Sequence, residues 1–287
     1  MFTLVVLGVA TLIAGALFIV RELRAAFPAV DLRLFRQPAF CLLCSTAFFN
    51  SMGLFGALFM VPIFLQQVMG FTPLQAGLIL LPAIPVSGLS GLATGRLTDL
   101  VSPPLVALGG LLAMTVIFQA FSSVTALTTI TALVGYMILS RAFMDSVGIP
   151  ITSLTVRTLA PDQVRMGQGL LGVVRSIGSS FGVTVTSVFF ERRYALHQFL
   201  GYATYDSASA THETALRDLR LIFHDAGVLG TEANQTALGT LRQQLDIEAI
   251  ATSFQESFLL ICLCFLLAMG PMLCLLSRGV RPRTPVP

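Results

Sequence analysis

The chain has no lysine, three histidines and little charge of either sign, with 11% of its 287 residues charged. An ordinary soluble domain carries roughly 25%, so a water-soluble core is excluded, and with it a basic surface for nucleic acid. All seventeen basic residues are arginine, which points to a GC-rich genome and to no particular chemistry. The histidines, His197, His212 and His224, all lie outside the long apolar runs. Those runs therefore hold no metal-ligand spacing and no nucleophile constellation. Cysteine is scarce too: Cys41, Cys44, Cys262, Cys264 and Cys274 all lie in or beside apolar runs, where a thiol acts as a small hydrophobe. Cys41 and Cys44 imitate a CxxC pair, but no second ligand pair exists, and no cofactor or metal is expected.

What the chain does have is hydrophobic length. It is 55% hydrophobic, with a mean hydropathy of +0.85. Seven apolar runs stand out: Phe2 to Val20, Phe40 to Val68, Leu74 to Leu97, Leu105 to Phe121, Leu127 to Ser153, Gly169 to Phe190 and Phe254 to Leu276. Most exceed the roughly 20 residues that cross hydrocarbon, and Leu105 to Phe121 is marginal. Lipid offers the backbone no hydrogen-bond partners, so such runs must be helices. The expectation is an all-α polytopic membrane protein. Phe2 to Val20 lacks a basic leader and is followed by arginines, so it reads as a retained helix, not a secretory signal.

Arginine positions set the orientation. Arg21, Arg24, Arg33 and Arg36 follow the first run, Arg96 follows the third, Arg157 and Arg165 follow the fifth, and Arg278, Arg281 and Arg283 follow the last. The alternate loops, around Gly70 to Pro73 and Ser122 to Ala126, carry no charge. The basic loops are expected in the cytoplasm, giving a multi-pass protein of the cell membrane with a cytoplasmic C-terminus. An odd number of spans then puts Met1 outside, which for a transporter points to a missing half. The segment from Glu191 to about Ser253 breaks the pattern with five arginines and most of the acids. It reads as a long external loop with two surface helices, Thr211 to Phe223 and Glu232 to Ile250. The chain divides into 1–38, an extra span and linker; 39–190, five helices; 191–253, the external loop; and 254–287, the last span and a basic tail.

Glycine and proline show how the helices meet. Gly88, Gly91 and Gly95, and Gly178 with Gly182, give small faces for close packing. Pro62, Pro82, Pro85 and Pro150 remove backbone donors and predict kinks. The chemical candidates are the polar residues inside the runs, because a centred Arg or Asp costs about 2.5 to 3.5 kcal/mol on an insertion scale. Arg141 and Asp145 share one helix face, and Arg175 on the next helix is expected at the same depth. The three form a candidate cluster with one carboxylate between two guanidinium groups. A structural ion pair reads the same way in sequence. Asn50, Gln119 and Glu256 complete the set of pathway candidates.

Three segments carry a resemblance. Pro62 to Pro82 reads PIFLQQVMGFTPLQAGLILLP, Gly91 to Asp99 reads GLATGRLTD, and Leu159 to Val183 reads LAPDQVRMGQGLLGVVRSIGSSFGV. Together they resemble the EmrB/QacA-type fourteen-helix drug:proton antiporters of the major facilitator superfamily, over the C-terminal half of such a transporter. The resemblance implies a six-helix C-domain bundle preceded by one extra transmembrane helix. It implies export of small amphiphilic or cationic compounds against protons, by alternating access at the midplane between two halves. It also implies a missing N-terminal half or second chain, and a periplasmic adaptor if the source is Gram-negative. Arg96 and Asp99 take a cytoplasmic gate role from it. The family's following basic residues are replaced here by Leu100 to Pro104, which leaves Asp99 a second role as a cap on the next helix. Arg141 matches an Arg before a glycine-rich stretch, with Ala142 and Met144 where glycines are usual, and Asp145 is peculiar to this chain. The resemblance places the proton-coupling acids and the antiporter glycine motif largely in the absent half. Two alternatives stay open: a non-transporting truncated remnant, and a membrane-embedded lipid-modifying enzyme, the latter opposed by the missing catalytic groups.

Overall fold

A computed structural model describes residues 6, 13, 17, 21, 32–124, 128–207 and 231–278. Among these, a 3₁₀ turn, Leu32–Arg36, leads into seven helices and no strand. We label them α1 (Pro38–Gln67), α2 (Pro73–Leu80), α3 (Ala83–Leu100), α4 (Pro103–Phe121), α5 (Ile130–Thr158), α6 (Pro161–Ser207) and α7 (Thr231–Ser277). With α2 and α3 counted as one crossing, six stretches are long and apolar enough to span a membrane. Apart from Val6, Ile13 and Leu17, the expected first span lies outside the described residues, as do the expected surface helix Thr211 to Phe223 and the tail arginines Arg281 and Arg283.

Proline opens α1, α2, α4 and α6, where the missing N–H is no loss. The Thr72 hydroxyl accepts from the Gln75 backbone N–H, and the Gln75 side chain accepts from the Thr72 N–H, so α2 starts on a capping box. The run Leu74 to Leu97, read as one kinked helix, is two helices broken at Leu81 and Pro82. Pro82 cannot donate, and its ring obstructs the preceding turn. Pro62 and Pro150, by contrast, stay inside continuous helices.

The second difference lies at the end of α6. The sequence reading stopped that helix at Phe190, whereas it continues to Ser207, and α7 begins at Thr231. At 47 residues each, these helices are about 70 Å long, more than twice the roughly 30 Å of hydrocarbon. The expected helix Glu232 to Ile250 exists as the first part of α7, continuous with the last span. Between Phe190 and Gly201 no proline or glycine interrupts α6, and its Arg193 and His197 pair across to Glu256 of α7.

The core is aromatic and aliphatic. Phe64, Phe121, Phe254, Phe258 and Phe265 are each under 2% exposed, and their rings interlock: Phe64 and Phe254 lie 5.4 Å apart, Phe121 and Phe258 5.3 Å, Phe118 and Phe265 5.6 Å. In lipid such packing, not escape from water, holds helices together. α1 is the hub, lying along α6 and α7 and touching α5. Gly178 and Gly182 allow it: a Cβ at Gly178 would lie 2.5 Å from the Phe48 carbonyl oxygen, and one at Gly182 would collide with the carbonyl of Met52. Buried hydroxyls are satisfied within their own helices, as where Thr46 donates to the Leu42 carbonyl, Thr155 to Ile151 and Ser253 to Ala249.

Candidate functional site

The polar residues of α5 fall on one stripe. Arg141, Asp145, Gly148 and Thr152 follow at spacings of four, three and four, so they line one side of the helix. Two neighbours meet that stripe at different heights. α3 meets it at Asp145: the Ser90 hydroxyl lies 3.4 Å from the Asp145 Oδ2 and 3.3 Å from the Arg141 carbonyl oxygen. Gly91 of α3 faces the same carboxylate, and a Cβ there would stand 3.5 Å from Oδ2, an ordinary contact.

α6 meets the stripe further along. Arg175 donates to the Gly148 carbonyl and to the Thr152 hydroxyl, both at 3.1 Å, and Gln168 donates to the Thr152 carbonyl at 3.1 Å. The expected arrangement of one carboxylate between two guanidinium groups is not formed: among the described residues, no ion pair joins Arg141, Asp145 and Arg175. Asp145 and Arg175 do sit at similar depth, each about 20 Å along its helix from the Arg157 end. Side chains lean toward the N-terminus of their own helix, and α5 and α6 are antiparallel. Asp145 and Arg175 therefore lean in opposite directions, and Arg175 reaches backbone and hydroxyl instead of the acid.

Arg141 points elsewhere again. It lines a pocket of about 60 Å³ between α1, α2, α4 and α5, whose other walls include Leu58, Leu80, Phe118 and Met144. Its guanidinium makes one side-chain contact, to the Met144 sulfur at 3.4 Å. Asn50, 5% exposed, is buried on α1 with its Oδ1 unbonded. Gln119 is at the exposed edge of α4, where it donates to the Ser122 hydroxyl at 3.4 Å. Neither residue joins the α5 stripe.

At the basic end Arg157 lies 3.8 Å from Asp99. Asp99 belongs to the last turn of α3 and does not cap α4, whose N-cap position is Ser102; the alternative role read for it is corrected. Leu100 and Val101 carry the chain past Asp99 before α4 begins, so its carboxylate meets the last turn of α5 instead. Arg96 is exposed. At the opposite end Glu256 on α7 accepts from Arg193 Nε and faces His197 Nε2 of α6, both at 3.1 Å and on the same Oε2. Gln198 adds a bond to Asp246 at 3.1 Å. Arg193, His197 and Gln198 were missed in sequence because they were assigned to a loop; the four-residue spacing of Arg193 and His197 was the available signal.

Residues 1–183 match the family profile of the Major Facilitator Superfamily. The MFS-type transporter YhcA of Bacillus subtilis is 30% identical over 193 residues, covering 65% of this chain and 36% of that protein. The drug efflux pump JefA of Mycobacterium tuberculosis is 33% identical over 167 residues, covering 58% of this chain and 33% of that protein. The chain thus spans about a third of the length of the curated relatives it matches. The crystal structure of a bacterial homolog to the human lysosomal transporter Spinster, inward-facing and occupied, superposes with a TM-score of 0.62 at 16% identity. It covers 90% of this chain and 54% of that one. With six membrane-length helices and a family match over more than half its length, this chain is a multi-pass membrane protein of the major facilitator superfamily.

Proposed function

We propose that the chain is the C-terminal part of an EmrB/QacA-type exporter of amphiphilic compounds, driven by proton antiport and working by alternating access against an N-terminal half. The observation that carries this reading is the α5 stripe: Arg141 and Asp145 lie on one side of a span, with Asp145 facing Ser90 of α3, Arg175 of α6 bonded further along at Gly148 and Thr152, and Arg141 opening into an apolar pocket. Ionisable residues at membrane depth are costly and mark substrate or ion paths. Relatives named as drug efflux pumps support the substrate class. The alternating arginines support a cytoplasmic Arg157 end and C-terminus in a bacterial inner or plasma membrane. On that reading the Asp99 and Arg157 pair sits at the cytoplasmic gate and Asp145 is the candidate proton carrier.

The test is a chimera in which the part of YhcA that this chain does not match is joined to it, in cells stripped of their own pumps. We expect uncoupler-sensitive extrusion of at least one member of a panel of anionic, neutral and cationic fluorescent amphiphiles from the chimera and none from the chain alone. A membrane-inserted chimera that extrudes no member of an amphiphile panel would overturn the export reading, and proton-driven efflux by the chain alone would overturn the half-transporter reading.

A further inference from the structure

We infer that the Arg141 pocket binds the anionic head of a small amphiphile, a carboxylate or sulfonate, and selects against cations. This inference rests on the export reading above and specifies its substrate class. A guanidinium carries five N–H donors and matches a carboxylate with two parallel bonds. Here it has one weak acceptor, the Met144 sulfur at 3.4 Å, and among the described residues no carboxylate lies within 4.0 Å of it. Asp145, one turn away, faces Ser90 and Gly91 on α3. The charge in this pocket is therefore the arginine's alone.

Size and depth narrow the occupant further. One water needs about 10–15 Å³ of such space, so a pocket of about 60 Å³ admits a head group and leaves the apolar body to lie along Leu58, Leu80 and Phe118. Arg141 is eleven residues into α5, which begins at Ile130, or about 16 Å from the outer end of that span. At 29 residues α5 is about 43 Å long, so centred in roughly 30 Å of hydrocarbon it puts Arg141 about 10 Å below the outer boundary, deeper than the head of a bilayer lipid. A free amphiphile fits; a bilayer lipid does not.

The full chain, reconstituted in phosphatidylcholine nanodiscs, tests this with two matched dansyl-alkyl probes, one ending in a carboxylate and one in a trimethylammonium. We expect the carboxylate probe to bind at least tenfold more tightly than the ammonium probe. Arg141→Gln should lose that preference, Arg141→Lys should keep part of it, and Asp145→Asn should keep it in full. Equal binding of the two probes, or a preference unchanged in Arg141→Gln, overturns the inference, and the comparison of probes on the unaltered chain needs no variant to fold. Replacing a third of the lipid with phosphatidylglycerol should leave carboxylate binding unchanged; displacement that depends on Arg141 would make the occupant a lipid head and overturn the free-amphiphile assignment. The measurement involves no transport, so a chimera that fails to export leaves it standing, and equal binding leaves export standing.

Discussion

Single side chains inside a span are legible as exceptions, but their partners are not. Arg141, Asp145 and Arg175 stand out in sequence because each is expensive in hydrocarbon, and the helix period puts the first two on one face. The lean of side chains toward each helix N-terminus separates Asp145 from Arg175, and no spacing rule on one helix carries that information across to its neighbour. The consequence is a division of roles. Arg175, tied to Gly148 and Thr152, is a fastener between α5 and α6. Charged hydrogen bonds are worth about 1.5–3 kcal/mol each, so Arg175→Ala should lower the thermal midpoint of the detergent-solubilised chain. Among the described residues Asp145 accepts one long side-chain hydrogen bond, from Ser90 at 3.4 Å, and in the chimera Asp145→Asn should alter proton coupling while the amount of protein holds. Loss of protein in Asp145→Asn, or an unchanged midpoint in Arg175→Ala, would reverse the two assignments.

Helix positions were legible from apolar length alone, and four of the crossings begin within three residues of where the runs predict. The interruption at Pro82 and the long outward continuations of α6 and α7 were not. Pro82 breaks its run whereas Pro62 and Pro150 leave the helices of theirs intact, so the difference lies in the surroundings of each bend and not in the residue. The continuation past Phe190 looks like a loop because it is charged, yet Glu256 gathers Arg193 and His197 onto one carboxylate oxygen. These groups are partly exposed, and such pairs are worth only about 0–1 kcal/mol. Glu256→Gln should leave the transmembrane bundle intact and raise amide hydrogen exchange in the segments on either side of Glu256 and His197. The glycines give a sharper contrast at this scale. Gly182 meets the backbone of α1, which cannot give way, whereas a Cβ at Gly88 or Gly95 would meet nothing within 4 Å. Gly182→Leu should yield aggregated or absent protein, and Gly88→Ala and Gly95→Ala should yield normal amounts of monodisperse chain.

Coverage across the whole molecule is uneven. In the most apolar window of each crossing, 44%, 50% and 39% of residues are buried in α1, α4 and α7, against 17% in α2 with α3, 22% in α5 and 17% in α6. The three sparsely covered crossings are also the ones that carry the polar stripe and its two clamps. Hydrocarbon alone would cover the exposed leucines of α7 and the exposed Val173, Ile177 and Phe181 of α6, but α6 carries a further strip beside these. α7 shows lipid Leu259, Leu263, Leu266, Leu267 and Leu273. α6 exposes Gly172, Ser176, Ser180 and Thr184, spaced as a strip of small residues, with Ser180 and Thr184 bonded to their own helix backbone. Small residues with satisfied hydroxyls suit contact with another helix, and leucines suit acyl chains. If the proposed N-terminal half covers α6, a nitroxide placed at Ser180 in a cysteine-free chain should lose oxygen accessibility when that half is co-expressed, while one at Leu263 should not change. Equal accessibility at Ser180 in a pair that restores efflux would put the partner on another face, leaving the serine strip of α6 in contact with lipid.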